Sequence, residues 1–293
     1  MKRFRYDTSG NWYKGNTHIH TTASDGGMSP LEVTQRYSDA GYDFLYLTDH
    51  WVASDAASLQ DSSPLLLMDG MEIHGNDTEG AAYHVVCLGS CAGITEDMGL
   101  VPAMQAAREG GAMLILAHPL WCGNTMDDAR RWNFDGVEVY NHVVGWLNGK
   151  SDGLTYWNDM LRANPNVLAV AADDSHSKPA HPVWNGGWIM VNAAELTREA
   201  VTTAMKAGNF YSSCGPEFHA IELDGENLNV RVSPSRFIRL VGPAYRGRRA
   251  GHPDGPLVTE AAFELPADWD YAYIEIEDDR GRRAWTNTLL PSQ

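Results

Sequence analysis

His18 and His20, in the run Thr17-His18-Ile19-His20, stand two residues apart. On an extended chain both imidazoles then point to one face and can bind a single ion. Asp25 follows in the next loop. His50 closes the run DFLYLTDH, Glu72 lies in Gly70-Met71-Glu72-Ile73-His74, His84 opens YHVVCLG, His118 ends AMLILAHP, and Asp174-Ser175-His176 ends VLAVAADDSH. Any one of these alone reads as a buried histidine bonded to backbone, or as a solvated loop acid. Six of the eleven histidines joining three carboxylates at the ends of apolar runs read instead as one metal centre. Neutral imidazole with carboxylate is the donor mixture of Zn, Mn and Fe sites, which can keep positions open for water, and donor softness does not choose among those metals.

The elements that must position these groups follow from the pattern around them. From about residue 12 to about residue 213, short apolar runs alternate with helix-like stretches, which predicts a parallel α/β domain. Most runs are apolar without alternation, as strands covered on both faces are. Ser29 as N-cap, Pro30 in the first turn, Glu32 closing a capping box and Gly41 past the end predict a helix between the first two runs. Further helices are expected over Leu100 to Glu109 and Leu196 to Ala207. In such folds functional groups gather at the C-terminal strand ends, which is where the histidines and carboxylates fall. After Cys214-Gly215-Pro216 the helical signals stop, and short β-like runs separated by Gly, Pro and Asp predict a small all-β, sandwich-like domain. The expected division is 1–214 and 215–293.

A formal net charge of -16 argues against binding long nucleic acid, which needs clustered Lys and Arg. Bound cations can still attract an anionic substrate locally. Cys87, Cys91, Cys122 and Cys214 form no C-x-x-C pair and are expected to be reduced and mostly buried. The basic start MKRFRYDTSGNWYKG has no apolar stretch after it, and no segment reaches the length of a membrane span, so a cytoplasmic protein is expected.

His18-Ile19-His20, Asp25, Asp49-His50, Glu72, His84, His118 and Asp174-Ser175-His176 together resemble, in order, the motifs of the PHP (polymerase and histidinol phosphatase) family over about 200 residues. The resemblance implies a distorted (β/α)7 barrel and two or three divalent ions. One ion would be held by His18, His20, Glu72 and Asp174. A second would use Asp25, His50 and His176, and a third would share Glu72 and add His84 and His118. The fragments Gly136-Val137-Glu138-Val139-Tyr140-Asn141 and Ala284-Trp285-Thr286-Asn287 resemble a bacterial subgroup with some members similar to aryl ester or carbamate hydrolases.

Around this set, Asp49 and Asp173 adjoin ligands and are read as partners orienting an imidazole or as exposed strand-end acids. His142, Lys178 and His181 follow strands, where a general acid or a phosphate-binding cation would sit, and Asn141 could add a donor. With Asp25 and Glu72 they make up the expected catalytic set. His74 alternates with Glu72 and could reach the site, but is read first as a hydrogen-bonded structural histidine; Arg130 and Arg131 are read as a solvated helix face before an anion contact, and His219 and His252 carry no assignment. Trp51, Trp121, Trp146 and Trp184 could wall an apolar pocket. The expected reaction is hydrolysis of a small phosphomonoester by a metal-bridging hydroxide. A carboxylester or carbamate hydrolase, a 5'-3' exonuclease or nucleotide phosphatase acting on a nucleotide or short oligonucleotide, and a non-catalytic metal-binding protein are the alternatives. No Gly-x-Ser-x-Gly elbow supports a serine hydrolase.

Overall fold

The computed structural model describes residues 4–290. Seven strands carry the ligand-bearing half: β1 (Asn11–Asn16), β2 (Phe44–Leu47), β3 (Leu66–Asn76), β4 (Ala82–Leu88), β5 (Met113–Leu116), β6 (Gly136–Asn141) and β7 (Leu168–Ala172). They are neighbours in that order. Every residue of β2, β5 and β7 is buried, as expected of strands sandwiched between layers. The helix at Pro30–Asp39 has the expected capping box between Ser29 and Glu32, and a second helix spans Leu100–Glu109 as predicted. The third starts at Arg198 behind a Thr197 cap and ends at Ala207.

The sheet is mixed, and this corrects the all-parallel expectation. β1–β2–β3 and β5–β6–β7 are parallel, but β4 is antiparallel to both neighbours. The link from β3 to β4 is residues 77–81, too short for a crossover, so only a hairpin can form. No ladder joins β7 back to β1. The seam is bridged at the ligand end alone, where Ile19 pairs with Ser175, His20 N–H donates to Ser175 O (2.9 Å) and Asp174 N–H to His18 O (2.9 Å). The expected (β/α)7 barrel is thus met as a mixed α/β sheet without a closed ladder among the described residues.

On the other side of β1 come β8 (Trp188–Ala193) and β9 (Phe210–Ser213), both antiparallel additions. After Gly215 every regular element among the described residues is a strand: β10 (Phe218–Asp224), β11 (Asn227–Ser235), β12 (Phe237–Val241), β13 (Gly247–Ala250), β14 (Val258–Glu264), β15 (Tyr273–Glu277) and β16 (Arg283–Thr286). β16 pairs with β9, so β16, β15, β12 and β13 prolong the large sheet, while β10, β11 and β14 form a second one. β11 alternates exposed and buried residues, and its inward Leu228 and Val230 meet Ile238, Leu240, Ile274 and Ile276 in one core. That pattern marks a sheet with one wet face. No helix among the described residues is long and apolar enough to cross a membrane.

Candidate metal centre

The expected ligands converge at one end of the seven strands. β1 stops at Asn16, and His18 and His20 continue in extended conformation around the Ile19 bridge, so their rings lie on one side with centroids 5.1 Å apart. His50 and His118 follow β2 and β5, Glu72 lies within β3, and Asp174 and His176 follow β7. Because β4 is antiparallel, its beginning lies at this end, and that is where His84 is found. The chain turns sharply as it leaves the sheet: Trp51, His118, Asp174 and Ser177 have φ of +53°, +28°, +57° and +49°. Such backbone costs about 1–3 kcal/mol per non-glycine residue and persists where surrounding structure holds it.

Glu72 is the hub. Its Oε2 lies 3.1 Å from His18 Nε2, 3.2 Å from His20 Nε2 and 3.1 Å from His50 Nδ1. Its Oε1 lies 2.8 Å from His84 Nδ1 and 3.4 Å from His118 Nε2. Asp174 Oδ1 is 3.1 Å from His20 Nε2 and 3.3 Å from His18 Nε2. Asp25, on the solvent side, places Oδ2 3.3 Å from His176 Nε2, and its Oδ1 is 3.8 Å from His20 Nδ1 and 4.0 Å from His50 Nε2. All nine expected ligands are therefore brought together. Their donor atoms fall into groups close enough to share an ion: His18, His20 and Asp174; His20, Asp25, His50 and His176; His18, Glu72 and His118. The first two match the sets implied by the resemblance, except that Glu72 is absent from the first and His20 joins the second. The third has His18 in place of His84.

The donors fit metal ions by two tests internal to the structure. Glu72 Oε2, His20 Nδ1 and His50 Nδ1 are buried without a hydrogen-bond partner. A buried polar atom left so costs about 1–3 kcal/mol, more when charged, unless a ligand satisfies it. The second test is orientation. His18 Nδ1 lies 2.7 Å from Glu138 Oε1, and His176 Nδ1 2.9 Å from Asp174 O. Each such bond leaves Nε2 free to coordinate, as carboxylate and carbonyl partners of metal-bound histidines do.

The charge balance points the same way. Burial pulls His18 and His20 down, but Asp174 and Glu72, with Glu138 for His18, outweigh it, raising His18 well above its usual range and His20 to about 9. Burial likewise pushes Glu72 and Asp174 up, but His18 and other facing histidines hold both below the ordinary carboxylate range. His50 is held down at about 4, mainly by burial. The pocket keeps its carboxylates charged and collects positive charge on them, as a cation site does.

Other residues stand differently from expectation. Asp49 and Asp173 neither orient an imidazole nor face solvent. Asp49 accepts from the Thr21 and Ser24 amides and hydroxyls (2.6–3.1 Å), bracing the loop that carries Asp25. Asp173 accepts from Asn16 Nδ2, Tyr37 OH and the amides of Asn185, Gly186 and Gly187. Gly27 lets the Asp25 loop lie on the Asp174–Lys178 turn, since a Cβ there would sit 2.7 Å from Ser177 O and Lys178 Cβ. Lys178 reaches the rim but is held by Asp25, donating to its carbonyl (2.7 Å) and Oδ2 (3.1 Å). His181 packs edge-on to His176, centroids 5.2 Å apart.

His142 does not join them. It is 3.1 Å from Tyr140 OH and lines a separate cavity of about 510 Å³ with Lys14, Trp188 and Cys214. Asn141 is a brace rather than a substrate donor, giving its amide to Glu138 (2.8 Å) and Asp174 (3.3 Å). His74 is not a hydrogen-bonded structural histidine: its Nδ1 is buried without a partner and its ring lies beside His50 and His84. Arg130 is exposed, as expected of a solvated helix face, and pairs with Asp127 and Asp159, while the half-buried Arg131 pairs with Asp77 (2.6 Å), Glu79 and Asp128. Trp51, Trp121 and Trp146 rim the site against His74, His84 and His118, and His181. Trp184 packs on Tyr37 instead.

Glu138 is the residue the sequence reading missed. Its signal was an acid inside the otherwise apolar run Gly136–Asn141, a position fully buried in β6.

No family model matches this chain, and neither does any curated protein sequence. Among solved structures, it is similar to a two-domain protein containing a predicted PHP-like metal-dependent phosphoesterase from Bacteroides vulgatus, at 14% identity and TM-score 0.53, covering 98% of both chains. A provisionally assigned metal-dependent phosphoesterase from Bifidobacterium adolescentis matches at 13% identity and TM-score 0.44, over 66% of this chain and 96% of that one. An amidohydrolase from Chromobacterium violaceum with bound sulfate matches at 16% identity and TM-score 0.39, over 57% and 89%. The first of these sets the level of kinship: this chain shares the fold of that PHP-like two-domain protein.

Proposed function

We propose that this protein is a metal-dependent hydrolase of small phosphomonoesters. The observation that carries the proposal is the buried carboxylate Glu72 ringed by five histidines, with one oxygen left without a partner. His18, His20, Glu72 and Asp174 would hold one ion, Asp25, His50 and His176 a second, and Glu72, His84 and His118 a third, with Zn, Mn and Fe all suited to these donors. Bound there, such ions supply Lewis acidity and lower the pKa of water to near neutrality.

The chain's own groups have distinct tasks in this reading. Glu138 and the Asp174 carbonyl fix the ring orientation of His18 and His176. Lys178 holds Asp25 toward His176 and keeps an ammonium at the rim, where it would meet a phosphoryl group. His181, beside His176, would protonate the leaving alkoxide. Trp51, Trp121 and Trp146 favour a flat leaving group. With a formal charge of -16, a long nucleic acid has no surface to neutralise it, so the substrate is a small ester, a nucleotide or a short oligonucleotide end.

The same aromatic rim suits an aryl carboxylester or carbamate, and the ions would assist a carbonyl equally well. Purified protein reloaded with Mn, Fe or Zn and given matched phosphate and carboxyl esters decides between them. Release of phosphate, competitively inhibited by inorganic phosphate, is expected. Carboxylester cleavage about a hundredfold faster on the same preparation overturns the phosphoester reading, since that is a difference of nearly 3 kcal/mol in barrier.

A further inference from the structure

The hairpin of β3 and β4 sets a further donor, His74, beside those of the inner sets. In its register His74 stands directly opposite His84. Cross-strand partners in an antiparallel pair bring their side chains within about 5 Å, the spacing of a chelate. His74 also lies two residues beyond Glu72, on the same face of β3. Its ring stacks on His84 with centroids 5.0 Å apart and meets His50 edge-on at 4.8 Å. One nitrogen from each of His50, His74 and His84 falls within 4.8 Å of the others. The Nδ1 atoms of His74 and His50 are both buried without a hydrogen-bond partner. All three residues are half-buried and reach solvent, whereas His18, His20 and Glu72 are closed off behind them.

We propose that His50, His74 and His84 form an additional all-imidazole metal site at the mouth of the centre. It rests on the reading of the inner cluster as a metal centre. Three neutral nitrogens without a carboxylate select borderline ions such as Zn, Cu, Ni or Co over Mg, Ca or Mn. Lacking a negative charge, the site is weaker than the inner groups and fills after them. Two of its donors also face the inner carboxylates: His84 Nδ1 is 2.8 Å from Glu72 Oε1, and His50 lies between Glu72 (3.1 Å) and Asp25 (4.0 Å). An ion at the mouth therefore takes His84 in place of a third inner ion and draws on His50 from the Asp25 set. His74 is the one donor of the three that none of the inner sets proposed above includes.

Equilibrium dialysis of the full chain against increasing Zn tests this, with His74→Ala and His74→Gln alongside; the second variant keeps polarity and volume in case the first disturbs the hairpin. The native chain is expected to take up its tight equivalents and then about one more at higher zinc. Both variants should keep the tight equivalents and need at least about tenfold more zinc for the last, the loss that follows removal of one supporting group. The same total and the same midpoints in native chain and both variants overturn the outer site while leaving the inner centre intact. Absence of tight zinc from the native chain overturns the inner reading and this proposal with it.

Discussion

Glu72, at the ligand end of the seven strands, and Glu275, in the C-terminal strands, are both buried carboxylates with basic neighbours, and their surroundings treat them oppositely. Glu275 accepts from Arg239 Nη1 at Oε1 (2.7 Å) and from Trp285 Nε1 at Oε2 (2.9 Å), with Arg283 3.6 Å away. Its network closes on itself. Glu72 faces five imidazoles, yet among the described residues neither its Oε2 nor the Nδ1 atoms of the nearby His20 and His50 make a hydrogen bond. A structural carboxylate satisfies itself within the fold, and one kept for a ligand stays incomplete. The backbone shows the same contrast: positive φ at Trp51, His118, Asp174 and Ser177 lies around the incomplete network, while strands β12, β15 and β16 around Glu275 contain no residue of that kind.

The change that should break this contrast most is Glu72→Gln, which keeps the shape and removes the charge. More than one metal ion per chain should be lost in elemental analysis, because both oxygens serve. Hydrolysis should fall about a thousandfold, the scale of losing one charge-stabilising group at a reacting centre. Retention of all metal would mean that Glu72 is merely another buried acid. Glu138→Gln acts one step removed, through the orientation of His18. Metal affinity, read by competition with a chelator, should fall about 10- to 100-fold while the far-UV spectrum stays unchanged. Unaltered affinity would show that Glu138 only braces the His118 amide, to which it is also bonded (2.8 Å).

How much of this contrast could be read in the sequence depended on what fixes each residue. The convergence of the nine expected ligands was legible because strand-end placement is written in the order of apolar runs and in the spacing of H-x-H and D-x-H. The Ser29 cap and the Leu100–Glu109 helix were legible for a similar reason, since both rest on local side-chain chemistry. The orientation of β4 depends on the length of the 77–81 link, which an alternation of runs does not weigh. His74 was misread in consequence, because its neighbours His84 and His50 are set by that hairpin's register. Glu138 and Asp173 act through partners distant in sequence, and the one local sign is the place of Glu138 inside an apolar run. His142 follows a strand like a ligand, but it lines the cavity shared with Lys14, Trp188 and Cys214 instead.

A smaller effect is expected where the network is already complete. Glu275→Gln removes a charge that Arg239 meets, yet Arg239 keeps Glu277 at 2.8 Å and an amide oxygen can still accept from Trp285. Chemical denaturation should show a loss of about 1–3 kcal/mol, the range for hydrogen bonds to charged groups. Metal content should not change. A variant that loses metal would tie the C-terminal strands to the centre and erase the distinction between the two carboxylates.

The smallest expected effect, and the most discriminating in sign, is the pH dependence of the metal-free chain. Burial pulls His20 down, but the neighbouring carboxylates of Asp174 and Glu72 outweigh it and hold the group at about 9, against an ordinary 6.5, and His18 and His118 are raised as well. A histidine raised in the folded state contributes stability that is complete below 6.5 and lost as pH climbs through the folded value. His50 has the opposite sign: burial holds it at about 4, so below 6.5 the unfolded chain takes up the proton first and stability falls toward pH 4. The metal-free chain should therefore be most stable near pH 6.5 and melt a few degrees lower on either side. Metal must displace the protons from His18, His20 and His118, so the rise in Tm on adding Zn or Mn should grow between about pH 6.5 and about pH 9. Thermal melts across that window, with chelator and with metal, read both curves. A metal-free Tm that stays level from 6.5 to 9 would mean that Glu72 and Asp174 do not hold protons on these rings, and the charge argument for a cation site would go with it.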